Sequence, residues 1–239
     1  MPINVVKKSI SIIIVFLICG SVALSQKTVL RTEAGIGTFY MRDLKLFQTS
    51  LIPTLGVDVK SLSSFPPYFG YGASFVRFFN SGIGVGLTSD FFSTGGRNYY
   101  KDYSGIYKLD LLTHAFNIGI VLSKKHFRGS HFNTYFEIQQ GLKFSTLNIS
   151  ENLVVAVPIT DTSYKLLSTS VWIKPGYRLE YKILKFLSIG TFIGGELNPK
   201  SKLHMESDRK AILSNSVGNV TMSWSGFRFA LYISGNFSD

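Results

Sequence analysis

The chain has 239 residues, a formal charge of +11 and a mean hydropathy of +0.20, with 20 phenylalanines, 12 tyrosines and 22 glycines. Its single cysteine, Cys19, excludes a disulfide framework and a cysteine metal site. Lysines and arginines are dispersed and form no basic stripe, which excludes a nucleic-acid interface of the usual kind, and no composition shift marks a second folded domain.

The start of the chain reads as an export signal. Lys7 and Lys8 precede the apolar run Ser11–Ile18, and Ala23-Leu24-Ser25 puts small residues at the −3 and −1 positions of a cleavage site. Residues 1–25 are therefore expected to be a signal peptide and 26–239 the mature domain. Cys19 would leave with the signal, and because Ile18 precedes it, Cys19 makes a poor lipoprotein site.

The mature part alternates with period two, and no helical segment of ten or more residues stands out. Leu30–Tyr40 is the first expected strand, with Arg31, Glu33, Gly35 and Gly37 on one face. An irregular stretch to about Pro67 follows, in which the character of Leu46–Leu55 is open. Phe69–Phe78 and Ile83–Ser93 form a hairpin around Asn80-Ser81-Gly82, where glycine supplies a positive φ cheaply. Thr94–Lys101 reads as a loop. Tyr103–Leu122 shifts its apolar phase near Leu112, which predicts a β-bulge at Leu111–Thr113. His131–Ser145 is the fifth strand, Thr146–Ser168 mostly loop around a β-prone Leu153–Val157. Val171–Tyr181 and Phe186–Glu196 form a second hairpin, Leu197–Ser216 is a charged loop, and Met222–Phe237 closes the series.

Eight strands of this length, with long connections after most odd strands and short turns after even ones, predict an all-β fold: an eight-stranded antiparallel transmembrane β-barrel of up-and-down meander topology. The charged face collects glycine at Gly84, Gly86, Gly141, Gly176, Gly190 and Gly226, as a narrow interior requires. Glu137, Lys143, Lys174, Arg178, Glu180, Glu196 and Arg228 fall on that face and are expected to form a charge network that fills the lumen. Glu33 is expected within reach of the arginines. Aromatic residues near strand ends (Phe91, Phe92, Tyr99, Tyr100, Tyr103 and Tyr107 at one end, Tyr177 and Tyr181 at the other) predict interfacial girdles.

Gly82–Leu87, Gly95-Gly96 and the strand Pro175–Tyr181 resemble features of the outer-membrane β-barrel family widespread in Bacteroidetes, over about Leu30 to Phe237. The chain departs from many such barrels by ending Phe237-Ser238-Asp239 and not on an aromatic residue. The resemblance implies a cell outer-membrane protein, some of whose relatives look like accessory components of secretion and gliding machinery.

His114, His126, His131 and His204 stand at no triad spacing with serine and acid, and no phosphate-binding loop, zinc motif or calcium loop is present. The expected function is a non-enzymatic, monomeric structural or accessory module, needing no cofactor or metal. Outer-membrane lipid and lipopolysaccharide are its expected partners, with a secretion or envelope complex as its setting. Adhesion or ligand binding through long outer loops, a small gated channel and a lipid-modifying enzyme are the alternatives.

Overall fold

The computed structural model describes residues 25–51, 60–103, 105–155, 157–215 and 218–237. The expected signal peptide, with Cys19, lies outside them apart from Ser25. Eight strands correspond to those expected: β1 (Ser25–Gly37), β3 (Tyr68–Phe79), β4 (Ile83–Lys101), β5 (Ile106–Arg128), β6 (Phe132–Val155), β7 (Val157–Lys182), β8 (Leu187–Glu196) and β14 (Gly226–Phe237). Each pairs antiparallel with its neighbour in the order β7-β6-β5-β4-β3-β1-β14-β8, and β8 returns to β7, making an eight-strand hydrogen-bonded ring.

The expected plain eight-stranded barrel is nevertheless corrected, because the molecule is not a closed barrel. The β7–β8 ladder joins only Gly176–Lys182 to Ser188–Gly194. Beyond that level β4 to β7 run on as an open sheet. Its edges are β2 (Lys60–Ser64), paired to β4, and β10 (His204–Met205), paired to β7, so ten strands share the sheet. Four further two-residue strands, β9 (Ser201–Lys202), β11 (Ser214–Asn215), β12 (Gly218–Asn219) and β13 (Thr221–Met222), form two small ribbons, β9 with β13 and β11 with β12.

Three local expectations change for one reason. Thr94–Lys101 is the continuation of β4, and most of Thr146–Ser168 is the continuation of β6 and β7. The bulge expected at Leu111–Thr113 is absent: β5 keeps register with β4 and β6 through that point and shifts only between Lys125 and Phe127. The phase change is real, but the strand does not flip; its surroundings do. Below Leu112 the outward residues are Phe116, Ile118, Ile120 and Leu122, with Asn117 and Ser123 buried inside. Above it Lys108 and Asp110 face out while Tyr107, Leu109 and Leu111 are buried. On β6 the same inversion separates outward Leu142 and Phe144 from outward Thr146, Asn148 and Ser150, with Leu147 and Ile149 turned inward.

The inward apolar residues of the upper part need a cover, and helix α1 (Arg42–Ser50) supplies it. Leu44, Phe47 and Gln48 repeat at helical spacing and are its buried face. They close an apolar cap with Phe39, Met41, Phe65, Phe92, Leu111, Leu147, Leu166, Met222 and Trp224. Gln48 donates from Nε2 to Asn98 Oδ1 at 2.9 Å and its main-chain carbonyl accepts from Asn98 Nδ2 at 2.9 Å, which ties the helix to β4 inside the cap. Gly96 makes this approach feasible, since a Cβ there would lie 2.5 Å from Gln48 Oε1. Met41 and Phe65 hold φ of 37° and 49°, a strained backbone at two buried cap positions. At the opposite end Gly82, φ 74°, makes the tight turn the sequence indicates.

Candidate functional site

The inward residues of the ring form layered ion pairs. Lowest is Glu180 on β7, whose Oε1 accepts from Asn133 Nδ2 at 3.0 Å and Tyr135 Oη at 3.2 Å and lies 4.0 Å from Lys27 Nζ. Above it Glu137 on β6 stands between two guanidiniums, Arg31 Nη1 at 2.5 Å and Arg178 Nε at 3.0 Å. Arg178 reaches onward through Nη2 to Glu33 Oε2 at 3.0 Å, and Glu33 lies 3.7 Å from Lys174, which pairs with Asp90 at 2.7 Å. At the top Glu196 accepts from Lys143 and, at 3.2 Å, from Arg228 Nε.

These side chains are almost wholly buried, and the network is close to electroneutral. Carboxylates at 33, 90, 137, 180 and 196 match cations at 31, 143, 174, 178 and 228 in number, with Lys27 beyond them at the rim. Buried charge is tolerable only when paired and hydrogen-bonded, and alternation along strands puts opposite charges from β1, β4, β6, β7, β8 and β14 at matching heights. Aromatic faces fill the remaining space. Tyr232 lies 4.4 Å from the Arg178 guanidinium carbon, Phe192 between Lys174 and Arg178, and Phe39 and Phe92 each 5.0 Å from that of Arg228.

All seven residues expected in the lumen are thus brought together there. Arg31 and Asp90 were not among them, although both share the parity of residues read as facing inward, Arg31 with Glu33 and Asp90 with Gly84 and Gly86. The lumen is blocked at both ends. Above lies the apolar cap; below, Val29, Val76, Phe78, Val121 and Tyr135 form a second apolar cluster.

Outside, the polarity is inverted relative to a soluble protein. Leu30, Ile36, Phe75, Leu87, Ile118, Leu142, Leu179, Ile189, Leu231 and Ile233 are exposed on the ring's outer face. Tyr71, Phe91, Phe116 and Phe144 lie side by side on successive strands at its upper limit, and Phe132 packs on Tyr181 at its lower. Of the expected girdle, Phe91, Tyr177 and Tyr181 face out, whereas Phe92 and Tyr107 are buried in the cap. Phe132 to Phe144 is about 40 Å of strand at ~3.3 Å per residue, or about 28 Å along the normal at a ~45° tilt, the thickness of a hydrocarbon core. An apolar belt around a charged interior suits lipid and would be unstable in water.

Above the belt, ordinary surface chemistry returns. Arg97 forks onto Asp110, which also pairs with Lys108; burial alone would raise the Asp110 carboxyl, but these two cations hold it below the usual range. Burial and the nearby Glu151 carboxylate push the Tyr107 hydroxyl up to about 12. Asp43 in the first turn of α1 accepts from Thr221 and Lys200, tying the helix to the ribbon β9–β13; those bonds outweigh burial and keep its carboxyl low.

Beside this ribbon is a cleft of about 680 Å³ lined by Leu167–Val171 of β7 and by Pro199–Lys202, His204, Met205 and Arg209. Over residues 168–172 no described strand pairs with this side of β7; Asn198 Nδ2 instead donates to Ser170 Oγ and the Val171 carbonyl. The cleft carries three lysine or arginine side chains and one histidine among serine and threonine hydroxyls, and no carboxylate. The charged stretch Leu197–Ser216 read only as a loop, and nothing in it signalled that it folds against β7.

The four histidines are spread over the molecule. His114 stacks on Phe91 on the outer wall, His126 and His131 are exposed at the short-turn end, and His204 sits in the upper ribbon.

No family model and no curated protein matches the chain. Solved structures resemble it at a distance. A major outer membrane protein from Thermus thermophilus has a TM-score of 0.48 at 12% identity, covering 88% of this chain and 99% of that one. Ail, the attachment invasion locus protein of Yersinia pestis, has a TM-score of 0.38 at 12% identity over 90% of this chain and 99% of its own. Neisserial surface protein A has a TM-score of 0.38 at 13% identity over 88% of this chain and 97% of its own. At this distance none of them lends the chain a ligand or an activity, and the narrower Bacteroidetes resemblance has no match behind it. The apolar belt, the charged interior and the eight-strand ring together make the chain a small β-structured membrane protein.

Proposed function

We propose that the protein is a non-conducting, non-enzymatic binding protein, anchored by its ring and presenting the upper sheet to an anionic ligand. The observation that carries this is the cleft beside β7, where Lys202, His204 and Arg209 meet the hydroxyls of Ser168–Ser170 without a carboxylate among the lining residues. Rigidity supports it as well. The upper part is a hydrogen-bonded sheet with its own apolar cap, so a site there is held in shape before a ligand arrives.

The ion-paired lumen, closed above and below by apolar clusters, favours this reading over a channel. Binding of dextran sulfate to the full chain in neutral detergent, with uncharged dextran as control, tests it. Wild type should bind the sulfated polymer, and Lys202→Gln with Arg209→Gln should bind it at least several-fold more weakly. Equal binding by variant and wild type would refute the site. Stable single-channel steps in planar bilayers would refute the closed lumen. A partner recovered with the chain from solubilised membrane, whose capture is insensitive to both substitutions, would favour the accessory role in an envelope complex.

A further inference from the structure

The short-turn end of the ring, opposite the proposed binding cleft, is charged in a way the fold does not require. Lys27 on β1, Lys125 on β5 and Lys182 on β7 share the inward parity of their strands and are half-buried at the mouth, and Arg128 follows at the end of β5. The charges of Lys182, Arg31 and Arg128 bear on Lys27, and those of Arg128, Lys27 and Lys182 on Lys125, with Glu180 opposing them at both. Arg77, Lys124 and Lys185 extend the basic rim. Among the described residues of this end the one carboxylate is Glu180, 4.0 Å from Lys27 and already accepting from Asn133 and Tyr135.

The floor of the mouth is filled by Val29, Val76, Phe78, Val121 and Tyr135 beside the buried polar Asn133, Ser188 and Ser234, with Lys125 Nζ 5.8 Å from the Tyr135 ring. The geometry is therefore a shallow basin, not the entrance to a pore. Deeper in the ring cations and carboxylates match in number; here Lys27, Lys125, Lys182 and Arg128 share the single carboxylate of Glu180, which pairs with Lys27. Like-charge repulsion costs stability, and dispersing these lysines around the rim would have relieved it.

We propose that this basin binds a phosphate group, with Lys27, Lys125 and Lys182 as its ligands and Arg128 closing one side. A phosphate presents several acceptor oxygens and a charge of one to two, which suits three converging ammonium groups better than a single carboxylate does. Two sources share this chemistry: the headgroup of an anionic membrane lipid at the edge of the belt, and a soluble phosphate compound reaching the mouth from the aqueous side.

The test uses the full chain in dodecyl maltoside, free of phosphate. Pyrophosphate is titrated by thermophoresis, and retention of phosphatidylglycerol against phosphatidylcholine is read by native mass spectrometry. Saturable binding of pyrophosphate identifies a soluble phosphate as a sufficient ligand; selective retention of phosphatidylglycerol without it identifies the lipid headgroup. In either case Lys27→Gln, Lys125→Gln and Lys182→Gln should each weaken binding about fivefold, and Lys108→Gln at the other end should leave it unchanged. Stability separates a ligand from a structural role. Removing one of several repelling charges should leave the urea midpoint of Lys125→Gln no lower than that of wild type. Failure to bind either probe, an equal loss in Lys108→Gln, or a lowered midpoint in Lys125→Gln would overturn the proposal.

Discussion

Glu137→Gln is the most informative perturbation of the lumen, because Glu137 is shared by two arginines. Its Oε1 accepts from Arg31 Nη1 at 2.5 Å and from Ser123 Oγ at 3.2 Å, and its Oε2 accepts from Arg178 Nε at 3.0 Å. Neither Glu137 nor the two guanidiniums are more than 1% exposed. The amide is nearly isosteric, so no cavity forms, but the neutralising charge is lost and an N–H₂ must face a guanidinium. Arg178 keeps Glu33 at 3.0 Å and the Tyr232 face. Arg31 loses its carboxylate and keeps the rings of Phe78, Tyr135 and Tyr232 at 5.7–6.0 Å. Breaking a buried pair costs about 3–5 kcal/mol, and the second arginine's alternative partner puts the expected loss near the middle of that range. Urea unfolding of the protein refolded into phospholipid vesicles, followed by tryptophan fluorescence, measures it. Glu137→Gln combined with Arg31→Met should recover part of the loss, since removing both partners leaves no orphaned charge. The exposed pair Lys165–Glu206 is the control, with Lys165→Gln costing ~0–1 kcal/mol. A loss below about 1 kcal/mol in Glu137→Gln, indistinguishable from that control, would refute the claim that these charges hold one another in a dry interior.

The membrane boundary makes a paired prediction on one strand. Leu142→Arg, inside the apolar belt of β6, should cost roughly 2–4 kcal/mol in the same assay, and Asn148→Arg, above it, about 0–1; equal costs would mean that the inversion at Phe144 and Thr146 is not the lipid–water boundary. Asp43 gives a pH dependence with a definite sign. Its folded-state pKa is depressed, so its contribution to docking α1 is fully present above the unfolded value of ~3.9 and is lost as pH falls through the lower folded value. Amide exchange of α1 should therefore be faster in Asp43→Asn than in wild type at pH 6, with the difference vanishing near the folded pKa; no difference at pH 6 would sink the idea.

Much of the ring was legible because alternation is a local property. Ile189, Thr191 and Ile193 against Ser188, Gly190 and Phe192 define two faces whatever the partner strand, and a chain that cannot leave backbone groups bare in lipid must pair its strands. The charges on the inward face were equally visible, since Glu137, Lys174 and Arg178 follow their strands' parity. Which cation meets which carboxylate was not. Arg31 and Glu137 are 106 residues apart, and their pairing depends on strand tilt and register around the ring.

The upper half was decided by tertiary structure alone. From Leu111 on β5 and Ser145 on β6 the same alternation continues, but its meaning reverses where lipid gives way to water, and a phase change in the pattern resembles a bulge or a strand end. Period two reports which residues share a face and never what that face touches. Arg42–Ser50 is short and mixed in polarity, and becomes a helix where Leu44 and Phe47 can cover the cap that Leu111, Leu147 and Trp224 leave open. The same is true of Ser201, Lys202, His204 and Met205. They read as loop because two-residue strands carry no period of their own, and they acquire structure only against β7 and β13, partners that the fold brings to them.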